Sequence, residues 1–238
     1  MSEPLPRVLL ASSNPHKLEE IQAVIPADVL EIVTLDALNR QYQDAFVEPV
    51  EDADTFEGNA LLKARSYANQ SGWVTIADDS GLAVDFLDGR PGVHSARYSG
   101  MKGPRNRVDT ANNRKLLDEL ENVPVNQRDA HYVCVMAIAW PEHEKLAKQY
   151  RPPITARGEF HGRILLPEEA DDPSQPETGR GDQGFGYDPL FVLPENHPEF
   201  PGTTTAELTD TQKNRLSHRG VATRALLEEL RAQSLIDA

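Results

Sequence analysis

The stretch Trp73-Val74-Thr75-Ile76-Ala77-Asp78-Asp79-Ser80-Gly81 constrains this chain more than any other. Its first five residues are β-branched or apolar and read as a buried strand. Asp78-Asp79-Ser80-Gly81 are turn formers, so the strand is expected to end there. Two adjacent carboxylates at the end of a buried strand cost free energy unless a cation neutralises them. Side chains alternate along extended chain, so the two aspartates face opposite ways. One then braces the turn while the other points into a cleft as a hard-metal ligand or a base. A solvated Asp-Asp turn accommodates the same residues.

Bulk properties narrow the partners. Lys and Arg number 24 against 38 Asp and Glu, a formal charge of −14. That field opposes general binding to nucleic acid or to an anionic membrane, although a local basic pocket still admits a small anion. The 238 residues suffice for one large domain or two small lobes. Cys134 is the only cysteine, which excludes an intrachain disulfide and fits a reducing compartment. The run Val8-Leu9-Leu10-Ala11 is too short for a signal-peptide core, and no run approaches the roughly 20 apolar residues of a membrane span. The cytoplasm is the expected location.

In chain order, Arg7 to Ala11 reads as a first strand. Ser12-Ser13-Asn14-Pro15-His16-Lys17 follows, then Leu18, Ile21, Val24 and Ile25 at helical spacing. Asn14 suits an N-cap and Pro15 the first helical position. Strand, small polar loop and helix start aim backbone N–H groups at one spot that suits phosphate, and Lys17 adds a full charge. A plain strand-to-helix turn has the same pattern. Residues 29–35 suggest a second strand, and Glu48 to Asp54 an acidic loop. Thr55 caps a helix running to about Asn69, with Phe56, Ala60, Ala64 and Tyr67 or Ala68 as its buried stripe. Lys63 and Arg65 lie off that stripe and are expected at the surface.

Beyond the aspartates, Leu82 to Leu87 alternates like a strand and Asp88 to Gly92 turns the chain. Asn112 to Glu121 is expected to be a helix with Leu116, Leu117 and Leu120 inward. Ala130 to Trp140 is apolar on both faces, as a central strand covered on both sides requires. Ile154 to Phe160 is its expected antiparallel neighbour. The segment from Leu166 to Gln183 is polar and reads as an exposed loop. In Gly184-Phe185-Gly186-Tyr187-Asp188-Pro189, glycines flank Phe185, so its ring either stacks on a planar ligand or turns into the core. Thr205 to Arg215 looks helical. Lys213, His218 and Arg219 then cluster before a last helix burying Val221, Ala225 or Leu226, and Leu230.

Taken together and in order, these segments resemble the inosine triphosphate pyrophosphatase family. The matching stretches are Ala11 to Lys17, Thr55 to Ala60 with Lys63-Ala64, Ile76 to Leu82, Gly89 to Tyr98, Gly184 to Pro189, and Ser217-His218-Arg219-Gly220. The likeness spans nearly the whole chain, and the ordered set is far more specific than any one motif. It implies an α/β fold: a long central mixed β-sheet flanked by helices, two lobes with a nucleotide cleft between them. It implies Mg²⁺-dependent hydrolysis of deaminated purine nucleoside triphosphates (ITP, dITP and XTP) to monophosphate and pyrophosphate, by a homodimer. Ser12, Ser13, Asn14, Pro15, His16 and Lys17 would hold the phosphates. Asp79 would be the catalytic base and a metal ligand, and Ser80 would contact substrate. Phe185, Gly186, Tyr187 and Asp188 would hold the base, which Lys213, His218 and Arg219 would close off. Glu51 is the best match for a second metal ligand, with Glu48 its rival. Two departures stand out. Gly58 replaces a common acidic residue, which would shorten or loosen that helix start. The loops 166–183 and 194–204 look long, and they flank the base motif.

The chemistry needs such residues. A triphosphate repels incoming hydroxide, and Mg²⁺, held by carboxylates and phosphate oxygens, offsets that repulsion. A lysine and a helix start would steady the leaving pyrophosphate. Hypoxanthine and xanthine offer O6 as an acceptor where adenine offers an amine, so donors in the base pocket would discriminate. A nucleotide sensor without turnover and a phosphomonoesterase are the rival readings. Product analysis separates all three.

Overall fold

The computed structural model describes residues 6–42, 46–142 and 151–236. Its regular elements are β1 (Arg7–Leu10), α1 (Pro15–Gln22), β2 (Glu31–Thr34), α2 (Leu35–Tyr42), α3 (Phe56–Ser71) and β3 (Thr75–Val84). Then come α4 (Arg105–Glu119), β4 (Asp129–Ala139), β5 (Ile154–Ile164), β6 (Phe191–Val192), α5 (Asp210–Leu216) and α6 (His218–Ala232). One six-stranded sheet runs in the order β2-β1-β3-β4-β5-β6. β1 pairs parallel with β2 and β3, whereas β5 and β6 pair antiparallel, so the sheet is mixed as expected.

The chain divides into two compact units. The first comprises Met1–Asp79, Cys134–Gly158 and His218–Ala238, and the second Ser80–Val133 and Glu159–Ser217. The division falls inside β3, between Asp79 and Ser80. Each unit has its own apolar core. In the first, Val8, Leu10, Ile76, Cys134, Met136 and Ile138 pack with Leu226 and Leu230 of α6. In the second, Leu82, Val84 and Tyr132 pack with Leu116, Leu117 and Leu120 of α4 and with Phe191. β4 supplies alternate residues that are buried on both faces, as its sequence predicts.

Local chemistry explains the helix starts. Asn14 caps α1 by accepting from the His16 N–H, and Pro15 takes the first turn. Thr55 caps α3, and Gly72 ends it at φ 71°, a left-handed conformation that glycine adopts without strain. Gly58 does not shorten α3: its N–H donates to Thr55 Oγ1 at 3.0 Å, and the helix begins at Phe56.

The structure corrects several expectations. The strand does not end at Asp78. β3 continues through both aspartates to Val84, because each finds buried partners. The expected strand from Leu82 to Leu87 is therefore the end of β3 followed by a 3-10 turn, Asp85–Leu87. α4 starts at Arg105, seven residues earlier than its leucines suggest, since buried Asn112 and Asn113 interrupt the apolar pattern. The segment 166–183 is mostly exposed, as expected, yet it is anchored. It forms two short 3-10 turns and buries Glu177, whose carboxylate pairs with Arg114 and whose carbonyl accepts from Asn113. The helix expected over 205–215 is split, because Thr209 and Gln212 form a capping box that starts α5 anew. In α6, Val221 faces solvent while Ala222, Leu226, Leu227 and Leu230 are buried.

Candidate active site

Within the first unit, β3 presents its two aspartates to different partners. Asp78 is 2 % exposed, and its Oδ2 lies 2.9 Å from Lys17 Nζ and 3.4 Å from Arg219 Nε. Arg219 is equally buried, and its other side pairs with Glu20, which is buried on α1. Lys17 and Glu20 are one helical turn apart, so one face of α1 supplies both ends of this chain of charges. Burial alone raises a carboxyl pKa, but here Lys17, Arg219 and Lys63 overcome it. They hold Asp78 well below the usual carboxylate range.

Asp79 faces α3. Its Oδ2 accepts from Asn59 Nδ2 at 3.0 Å, and its Oδ1 is 3.7 Å from Lys63 Nζ. Lys63 Nζ also lies 3.2 Å from Glu51. Desolvation dominates for this aspartate, and Lys63 and Asn59 offset it only in part, so its pKa is raised. Desolvation also penalises the charged form of Lys63, but Asp78, Asp79 and Glu51 outweigh it and raise the lysine's pKa. Adjacent residues of one type are thus driven in opposite directions: Asp78 is locked as an anion, and Asp79 is a basic carboxylate.

Lys63 corrects the sequence reading that placed it at the surface, whereas Arg65 is exposed as expected. The first unit also reveals residues that the sequence reading did not single out. Asn59 is fully buried, and Glu20 is the partner of Arg219. The signal for Asn59 and Lys63 was present. Both sit one turn apart beside Ala60 and Ala64, which places polar groups on the edge of a buried alanine stripe.

The loop before α1 is ordered by its own side chains. Asn14 N–H donates to Ser12 Oγ at 3.3 Å, while Ser13, Pro15 and His16 are exposed around it. Among the described residues, no group of three or more His, Cys, Asp or Glu is arranged to hold a metal ion. Glu51 and Asp79 nevertheless converge on one cation, the Lys63 ammonium. Two carboxylates are what Mg²⁺ uses where substrate phosphates and water complete its shell, so the pair fits that ion. Glu48, the rival for this position, is exposed.

The second unit places the other predicted residues around Asp188. Its Oδ2 accepts from the Phe185 N–H and from Lys213 Nζ, both at 2.8 Å. Its Oδ1 accepts from Thr205 Oγ1 at 3.0 Å and Tyr132 Oη at 3.3 Å. Asp188 thus fixes the loop and holds Lys213 4.9 Å from the centroid of the half-exposed Phe185 ring. Gly184 and Gly186 have φ 81° and 66°, which the reversal of the chain around Phe185 requires. A Cβ on Gly184 would sit 2.3 Å from Asp188 Oδ2. Gly186 N–H donates to Asp109 of α4 at 3.2 Å. Tyr187 is buried and donates to the Ser95 carbonyl at 2.9 Å, so its hydroxyl braces the loop from beneath. Ser80, half-buried, opens the second unit's share of β3. The sequence grouped Lys213 with His218 and Arg219. The structure brings Lys213 to Asp188 and Phe185, and Arg219 to Asp78 and Glu20, with His218 buried at the start of α6.

The chain is similar to known proteins over nearly its whole length. The model of the Ham1 family matches residues 8–229. A protein of Corynebacterium glutamicum named dITP/XTP pyrophosphatase is 40 % identical over 224 residues, covering 94 % of this chain and 96 % of its own. One of the same name from Pseudomonas syringae pv. tomato is 42 % identical over 229 residues, covering 96 % and 99 %. The structure of a HAM1 protein from Coxiella burnetii superposes with a TM-score of 0.75 at 32 % identity, over 96 % of this chain and all of that one.

Proposed function

This chain belongs to the Ham1 family, and from that premise we propose that it hydrolyses non-standard purine nucleoside triphosphates, ITP, dITP and XTP, to monophosphate and pyrophosphate. The observation that carries the reading is the pairing, on one strand, of an anion neutralised by Lys17 and Arg219 with a basic carboxylate held by Asn59 and Lys63.

The first unit supplies the phosphate chemistry. Lys17 carries the charge for the triphosphate, with the Asn14-capped start of α1 beside it. Asp78 holds Lys17 in place, 2.9 Å from its ammonium. Asp79 accepts the proton of the attacking water at Oδ1, the oxygen not held by Asn59. The water oxygen bonds to the α-phosphorus, and the bridge to the β-phosphate breaks, with the electron pair leaving on pyrophosphate. Glu51 and Asp79 would hold Mg²⁺, which supplies charge neutralisation for phosphate oxygens when bound. Lys63, between those carboxylates, keeps their mutual repulsion from opening the site in its absence.

The second unit supplies base recognition. Phe185 offers an aromatic face and Lys213 a donor for a purine O6, with Asp188 setting the position of both. Adenine presents an amine at that position, which an ammonium donor repels. The family further suggests a homodimer, which light scattering in solution tests. No helix among the described residues is long and apolar enough to cross a membrane. Cys134 is a buried free thiol, in keeping with a cytoplasmic protein.

The test is purified protein with Mg²⁺ against ITP, XTP, GTP and ATP, with products identified. Preference for ITP and XTP with pyrophosphate release is expected. Equal rates on all four, or orthophosphate alone, would reject the proposal.

A further inference from the structure

Asn59 and Gly58 do something that the catalytic residues do not. Asn59 uses both halves of its amide: Oδ1 accepts from the Ala53 N–H at 3.0 Å, and Nδ2 donates to Asp79 Oδ2 at 3.0 Å. A carboxylate needs a donor and an N–H needs an acceptor, so this orientation is forced. One fully buried side chain therefore ties the acidic segment directly to Asp79. Three helical turns further along α3, Gln70 repeats the device. Its Oε1 accepts from the Val47 N–H at 2.8 Å, and its Nε2 donates to the Val47 carbonyl at 2.9 Å. Phe46 meets the ring of Tyr67 edge-on at 6.2 Å beside this second anchor. Glu51 lies between the anchors, in a stretch without regular secondary structure that α3 thus fixes at both ends.

Gly58 makes the tighter anchor feasible. A Cβ built there would stand 2.7 Å from Ala53 Cβ, closer than two carbons approach, and 3.1 Å from Thr55 Oγ1. A side chain at 58 cannot coexist with Ala53 in its present place, where the Ala53 N–H donates to Asn59. The sequence reading took Gly58 as a weakness of the helix start. The geometry makes it a seat.

We infer that Asn59 is the positioning residue that sets Glu51 relative to Asp79, and that Gly58 permits this by letting Ala53 close on α3. The inference rests on the pyrophosphatase reading for its kinetic arm only. In Gly58→Ala, amide exchange at Ala53 should quicken in the ligand-free protein. Turnover of XTP should fall by about 10-fold or more with KM changed little, as loss of a supporting contact does. Adding Ala53→Gly removes the colliding methyl and should restore both exchange and turnover. Asn59→Leu, which keeps the bulk but makes neither bond, should quicken exchange at Ala53 and lose turnover together. Unchanged exchange in Gly58→Ala, or a double variant that stays as impaired as the single one, would overturn the inference. A wild type inactive on XTP but slow to exchange at Ala53, with faster exchange in Gly58→Ala, would reject the functional reading and leave the clamp standing.

Discussion

The two faces of β3 around its aspartates differ in what the same side chain does. On the Asp78 face the carboxylate meets two cations, Lys17 and Arg219, and its charge is worth more folded than unfolded. On the Asp79 face the carboxylate meets one distant ammonium and one amide, and its charge is worth less folded than unfolded. Asp78 therefore contributes to stability, and Asp79 draws on it. A group held in an unfavourable charge state by its surroundings is typical of catalytic positions, and a well-paired one is typical of a brace. Sequence distance says nothing about this division, since the two are neighbours. Strand alternation produces it, by sending one toward α1 and α6 and the other toward α3.

The comparison is sharpest in catalysis. Asp79→Asn should lower turnover of XTP by about 10⁴-fold, the upper range for loss of a positioned base, while Asp78→Asn should lower it far less, through instability and a loosened Lys17. Next in size is stability. Asp78→Asn takes a carboxylate partner from buried Arg219 and should cost about 3–5 kcal/mol in denaturant unfolding, as removal of one partner from a buried pair does. Asp79→Asn should unfold at the same denaturant concentration as wild type or a higher one, because it removes a charge the fold disfavours. Acid titration separates the faces a third way. Asp78 has a folded pKa below its unfolded one, so its contribution is full above about pH 4 and is lost as pH falls toward the folded value. Asp79 has a raised folded pKa, so its contribution has the opposite sign: present below its unfolded pKa and lost as pH rises through the folded one. Hence the loss of stability on acidification should be smaller in Asp78→Asn than in wild type and larger in Asp79→Asn, by unfolding measured between about pH 5 and 3. Smallest is an effect in the second unit. Phe185→Leu keeps bulk but weakens stacking by about 1 kcal/mol, and should raise KM more than it lowers kcat.

Much of this was legible in the residues. The alternation of Asp78 and Asp79, the cap at Asn14 and the double-sided burial of β4 follow from spacing and side-chain type. The continuation of β3 through its aspartates did not, because Asp reads as a turn former when its partners are unseen. Those partners come from residues far away in sequence: Lys17 and Arg219 lie near opposite ends of the chain. Lys63 was misread for the same reason, as a long cation on a helix defaults to solvent until carboxylates are known to face it. The packing of residues 166–183 was hidden because its anchors, Asn113 and Arg114, look like an ordinary polar helix face.

Pyrophosphate release from XTP by Asp79→Asn, in protein whose unfolding matches or exceeds that of wild type, tests most directly the claim that this carboxylate serves chemistry and its neighbour the fold. Release about 10⁴-fold below wild type is predicted. Release within a few-fold of wild type would contradict it.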